Sequence, residues 1–127
     1  MYKEFRISLV IPAHNEERLI RPTLESVPDI IDRVYVVDDA SQDGTKEVVL
    51  EYARDDERVR LIRHEKNQGV GAAIITGYKQ SSSEDFDVAV VVGGDNQMPL
   101  EMVDELIEPV VNGQADYTKG NRFLMPQ

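Results

Sequence analysis

The chain has 127 residues, 41% of them hydrophobic, and a formal net charge of −10. That length holds one domain with a real core, or part of a larger one, and that composition excludes a disordered chain. The acidic balance argues against nucleic acid as a partner, because a phosphate backbone needs a basic patch; the absence of cysteine excludes disulfides and thiolate metal sites.

No apolar stretch reaches the roughly 18 residues that a membrane-spanning helix needs. The opening Met1-Tyr2-Lys3-Glu4-Phe5-Arg6 has no signal-peptide profile. A cytoplasmic location is the expectation.

In chain order, the first apolar run is Ile7-Ser8-Leu9-Val10-Ile11, which ends in Pro12-Ala13-His14-Asn15-Glu16. Leu19, Ile20, Leu24 and Val27 then mark a helical face, with Pro22 predicting a late start or a kink. The second run, Val34–Val37, ends in Asp38-Asp39-Ala40-Ser41. Asp43-Gly44-Thr45 reads as a turn and helix start, and Val48, Val49, Tyr52 and Ala53 form the stripe that follows. The third run, Val59–Ile62, ends in Arg63-His64-Glu65-Lys66-Asn67.

Asn67-Gln68-Gly69 opens a helix carrying Ala72, Ala73, Ile74, Ile75 and Tyr78, and Ser81–Asp85 is predicted as a loop. The fourth run, Val88–Val92, ends in Gly93-Gly94-Asp95-Asn96-Gln97. Pro99 suits a first helical turn before Leu100, Val103, Leu106, Ile107 and Val110, and Gly113 suits its C-terminal cap. A last strand, Ala115–Lys119, leads to Gly120-Asn121-Arg122-Phe123.

Short runs without alternation are the pattern of parallel strands covered on both faces. The order βαβαβαβαβ predicts an α/β fold, a three-layer α/β/α sandwich with a mostly parallel sheet. All four polar clusters then share the carboxyl edge of the sheet, where open α/β sheets bind ligands. Asp38, Asp39 and Asp95 at one crevice suit a divalent metal ion and a polar ligand such as a nucleotide.

Each cluster also has a plainer reading. Asp38 and Asp39 are either acceptors for a nucleobase or ribose, or turn residues capping backbone N–H groups. Asp43 reads mainly as turn and cap. Gly69, at a helix start, suits a phosphate or close packing on the sheet, and Asn67–Gly71 matches neither a dinucleotide fingerprint nor a P-loop. Arg122 is a phosphate clamp or a surface charge. The two histidines, His14 and His64, are too far apart for a zinc pair and are expected as exposed loop residues.

Taken together, five segments resemble the family-2 glycosyltransferases of the glycosyltransferase-A fold, in the dolichyl-phosphate-mannose-synthase-like branch. They are Val10–Glu17, Val36–Thr45, Asn67–Ala73, Asp95–Glu101 and Gly120–Phe123. The resemblance implies a nucleotide-diphospho-sugar transferase, with residues 1–127 as the N-terminal nucleotide-sugar-binding part of a truncated glycosyltransferase domain. Its reaction would move a sugar, with inversion, from a UDP- or GDP-linked donor to a lipid phosphate such as a polyprenyl phosphate, or to a polysaccharide or other acceptor. In the full-length protein this would take place at the cytoplasmic face of a membrane.

By the same resemblance Pro12, Ala13, Glu16, Asp38 and Asp39 would hold the nucleoside, with Gly69 and Arg122 at the donor site. Asp95 would hold Mg²⁺ or Mn²⁺ on the diphosphate. The chain departs from the family's Asp-x-Asp motif, with Gly93 where the first Asp is expected. Family domains run for roughly another hundred residues, in keeping with usual domain sizes, and carry the general base there. The chain alone is therefore expected to be inactive, with no catalytic base named.

Two alternatives remain. A non-catalytic nucleotide-binding module is favoured by Gly93. A receiver-like signalling domain has a similar length and order, but needs an acidic pair after the first strand and an Asp after the third. Here those positions hold Pro12-Ala13-His14 and Arg63-His64.

Overall fold

The computed structural model describes residues 5–93 and strands 118–119 and 123–126. The four apolar runs form parallel strands β1 (Ile7–Ala13), β2 (Arg33–Asp39), β3 (Val59–His64) and β4 (Val88–Val91). Helix α1 (Ile20–Glu25) follows β1, α2 (Thr45–Ala53) follows β2, and α3 (Val70–Ser83) follows β3. Strands β5 (Thr118–Lys119) and β6 (Phe123–Pro126) complete one sheet in the order β3-β2-β1-β4-β6-β5.

The strand order turns back at β1: β2 and β3 lie on one side of it, and β4 on the other. The helices divide accordingly. Ile20 and Leu24 of α1 and Val49 of α2 pack with Leu9, Ile11, Val34 and Val36 on one face of the sheet. Ala73 of α3 packs with Val10, Val37, Ala89 and Val91 on the other. Ile20 and Leu24 are each fully buried, worth roughly 1.5–3 kcal/mol apiece. The three layers of the predicted fold are present. Pro22 delays α1, as its place in the sequence predicts. It falls in the first turn, where a missing N–H costs nothing.

Helix α3 lies close to the sheet because its inward stripe is small. Ala73, Gly77 and Ser81 recur every four residues and are its buried positions. A Cβ on Gly77 would meet Val10 Cγ1 at 2.3 Å. Gly77→Ala is therefore expected to destabilise the fold by about 1 kcal/mol net, overpacking outweighing the gain in helix propensity. Urea unfolding of the variant measures this.

In two places the secondary structure departs from the sequence reading. Ser81–Ser83 is the last turn of α3 and not a loop. Ser81 is buried, and its hydroxyl lies 2.6 Å from the Ser8 hydroxyl, so each polar side chain satisfies the other inside the core. The edge beyond β4 is antiparallel: β6 pairs with β4, and the described part of the expected last strand, Thr118–Lys119, pairs with β6. Phe123 thus opens a strand that the sequence pattern did not suggest. Pro126, at its end, lies past the last β5 pairing, where a missing N–H is tolerated.

The far end of α3 is fastened as well. Tyr35 O–H donates to Glu84 Oε1, and Arg6 Nη1 donates to the Glu84 and Asp85 carbonyls at 3.0 and 3.2 Å. The Tyr35 hydrogen bond, against opposing burial, holds the Glu84 carboxyl below the usual range. Burial first, and then Glu84, pushes the Tyr35 hydroxyl up. The expected helix over 100–110, its Gly113 cap, Asp95 and Arg122 lie outside the described residues.

Candidate functional site

At the carboxyl edge of the sheet, where the order turns back, lies a cleft of about 230 Å³. It is lined by Pro12, Ala13, His14, Glu16, Asp39, Val70, Ala73 and Gly93. Four of the expected nucleoside residues, Pro12, Ala13, Glu16 and Asp39, meet there. Gly69 adjoins it, its N–H donating to Asp39 Oδ2 at 2.8 Å.

The cleft wall is built by two loops laced together. The loop after β1 donates from Asn15 N–H to Ser41 Oγ and from Glu16 N–H to Thr45 Oγ1, each at 2.9 Å. It also donates from Glu17 N–H to Asp43 Oδ2 at 3.2 Å. The loop after β2 answers with Gln42 N–H to Asn15 Oδ1 at 2.9 Å and Gly44 N–H to Glu17 Oε1 at 2.7 Å. Asp43 also accepts the Thr45 N–H and hydroxyl. Desolvation of the Asp43 carboxyl opposes its ionisation, but these bonds together hold it below the usual range. The Ser41-Gln42-Asp43-Gly44-Thr45 run is thus a brace that presents His14 and Glu16 to the cleft. His14 is exposed and fixed by a 2.7 Å contact between Nδ1 and the Asp39 carbonyl oxygen.

Asp38 and Asp39 part company. Successive residues of a strand face opposite sides of a sheet. Asp38, 0% exposed, faces the α1/α2 side, where it accepts Ser41 N–H at 3.0 Å and pairs with Arg63 Nη1 at 3.1 Å. It does not line the cleft. Asp39 faces the α3 side. Its Oδ1 accepts Gln68 N–H at 2.8 Å and lies 3.0 Å from His64 Nδ1, while Oδ2 accepts Gly69 N–H. Burial opposes its ionisation, but the bonds from Gln68, His64 and Gly69 prevail and hold the carboxyl below its usual 3.8.

Gly69 caps α3 at φ 97° and ψ 163°, a conformation open essentially to glycine alone. Its conformational freedom lets the chain turn its N–H onto Asp39, so that this N–H is not free for a phosphate.

His64 corrects the expectation of an exposed histidine. It ends β3 beside Asp39 in the β2–β3 register, is buried, and its Nε2 lies 2.8 Å from Thr76 Oγ1. The sequence signal was available: extending β3 by two residues to match β2 brings His64 opposite Asp39.

The Glycosyl transferase family 2 model matches residues 8–125. The chain belongs to that family. This decides against the receiver-domain alternative.

The chain is 31% identical to the UDP-N-acetylglucosamine–dolichyl-phosphate N-acetylglucosaminyltransferase of Methanococcus voltae, over 95% of this chain and 53% of that protein. It is 32% identical to a dolichol-phosphate mannosyltransferase of Pyrococcus furiosus, over 94% of this chain and 34% of that protein. Among solved structures it resembles a mannosyltransferase of Pyrobaculum calidifontis in complex with GDP-Man and Mn²⁺. That match has a TM-score of 0.79 at 21% identity and covers 91% of this chain and 35% of the other. It also resembles glucosyl-3-phosphoglycerate synthase of Mycobacterium tuberculosis in complex with Mn²⁺, UDP-glucose and phosphoglyceric acid. Here the TM-score is 0.67 at 26% identity, over 87% of this chain and 41% of the other. These neighbours establish the glycosyltransferase-A fold. The chain spans about half the length or less of the relatives named here.

Proposed function

We propose that this chain is the nucleotide-sugar-binding part of a sugar transferase. It takes a UDP- or GDP-linked sugar, and the whole enzyme passes the sugar, with inversion, to a polyprenyl phosphate at the cytoplasmic face of a membrane. The observation that carries the reading is the cleft itself. Pro12 and Ala13 at the end of β1, Glu16 in the loop after it and Asp39 at the end of β2 converge on one cavity at the switch point of the sheet. Val70 and Ala73 give that cavity an apolar wall suited to a base, and Glu16 and Asp39 give it oxygen acceptors. The acceptor follows the dolichyl-phosphate and dolichol-phosphate relatives. Among the described residues no helix is long and apolar enough to cross a membrane.

Among the described residues, no three His, Cys, Asp or Glu side chains gather to hold a metal ion. Three of the roughly four acceptor sites of the Asp39 carboxylate are taken by protein hydrogen-bond donors. Use of Mg²⁺ or Mn²⁺ therefore rests on Asp95 and on the Mn²⁺ of the solved neighbours. Arg122 is the proposed phosphate clamp.

Calorimetry with UDP and with GDP, each with and without Mn²⁺, tests this. Metal-dependent binding of one nucleotide, without sugar turnover by the chain alone, is expected. Metal-independent binding would favour the non-catalytic module that Gly93 suggests, and no binding of either nucleotide would end the proposal.

A further inference from the structure

Asp39 is held by a chain of side chains that reaches behind the cleft. An ionised carboxylate only accepts hydrogen bonds, so the His64 nitrogen facing it, Nδ1, carries the hydrogen. In the neutral ring Nε2 is then the acceptor, and the Thr76 hydroxyl donates to it across 2.8 Å. The links join α3, β3 and β2, and span 12 and 25 residues of sequence. Neither His64 nor Thr76 lines the cleft, whereas Asp39 does.

We infer that His64, backed by Thr76, is a positioning residue for ligand recognition at Asp39. A carboxylate offers about four acceptor sites. Oδ1 spends its two on Gln68 N–H and His64, while Oδ2 accepts Gly69 N–H and keeps one. His64 thereby locks the rotamer that holds the Gln68–Gly69 turn at the head of α3. It leaves Asp39 a single acceptor site, for one N–H or O–H of the ligand. The ligand role rests on the nucleotide reading of the cleft; the fastening of the turn does not.

The test compares His64→Leu with His64→Asn, whose Nδ2–H reaches the place of the lost Nδ1–H. In His64→Leu, hydrogen exchange at the Gln68 and Gly69 amides is expected to quicken about tenfold. The dissociation constant for UDP or GDP with Mn²⁺ is expected to rise about tenfold. His64→Asn is expected to recover most of both. Thr76→Val, which removes only a hydroxyl, should shift both the same way by about threefold, and it serves if the leucine variant does not fold. Unchanged exchange at the two amides in His64→Leu, or in Thr76→Val should it serve instead, would overturn the inference. Equal losses in His64→Leu and His64→Asn would overturn it too, since they would make His64 a matter of packing. If the unaltered protein binds neither nucleotide, the nucleotide reading falls, and amide exchange still decides whether His64 positions Asp39.

Discussion

Asp39→Asn is expected to lower the unfolding free energy at pH 7 by about 3 kcal/mol. The carboxylate now takes Gln68 N–H, Gly69 N–H and His64. An amide has one oxygen, so its NH₂ must face at least one of those hydrogen-bond donors in a site that is 4% exposed. Lost hydrogen bonds to a charge and a buried unsatisfied donor both contribute, and the estimate is nearer to one full bond than to three because the turn relaxes towards water.

The pH dependence carries a sign. The Asp39 carboxyl lies below its ordinary 3.8 when folded. Its stabilisation is therefore present above about pH 4 and is lost as the pH falls through the lower, folded value. Asp43, Asp56 and Glu84 are lowered in the same direction and add to the acid sensitivity. Urea unfolding from pH 7 to pH 3 should show stability falling in the unaltered protein, and falling less steeply in Asp39→Asn. An identical slope would remove Asp39 from this account.

Asp38→Ala is the companion experiment, with about 2 kcal/mol of destabilisation expected and nucleotide affinity within about twofold of the original. Asp38 is fully buried, so its removal orphans Ser41 N–H and empties the space beneath the loop. Arg63 is 38% exposed, and water takes over much of its charge, so the ion pair itself adds little. Urea unfolding and calorimetry, made side by side, separate the two adjacent aspartates. Asp39 variants should lose both stability and affinity, Asp38 variants stability alone.

The four parallel strands were legible because each is a short apolar run of strand length between turn residues, and in β1, β2 and β4 both faces of the sheet bury it. The position of the cleft followed from the strand order, because the polar ends of the runs had to share one edge. Within the cleft, Pro12, Ala13, Glu16 and Asp39 were legible from the polar clusters that end the first two runs. The pairing of Asp38 with Asp39 was not, since adjacency in sequence suggests a shared site while strand geometry sends neighbours to opposite faces. His64 was missed for a related reason: a lone histidine after an apolar run reads as loop, and only the β2–β3 register shows it beside Asp39. The serines at 81–83 read as a breaker. Burial of Ser81 against Ser8 keeps them helical, an effect no local propensity contains.

The brace between the first two loops shows how a motif dense in polar residues can spend them on the protein's own backbone. Ser41, Asp43 and Thr45 spend their side chains on the N–H groups of Asn15, Glu16, Glu17 and Thr45 itself. What they supply is the fixed shape of the loop bearing His14 and Glu16.

A nucleotide is expected to seat in the cleft between the ends of β1 and β2 and the head of α3. Amide shift mapping by NMR, as UDP or GDP is added with Mn²⁺, tests it most directly. The largest shifts are expected at Ala13–Glu16 and at Gln68–Ala73. Shifts confined to the opposite edge of the sheet, around Asp32, Arg58 and Asp87, would contradict it.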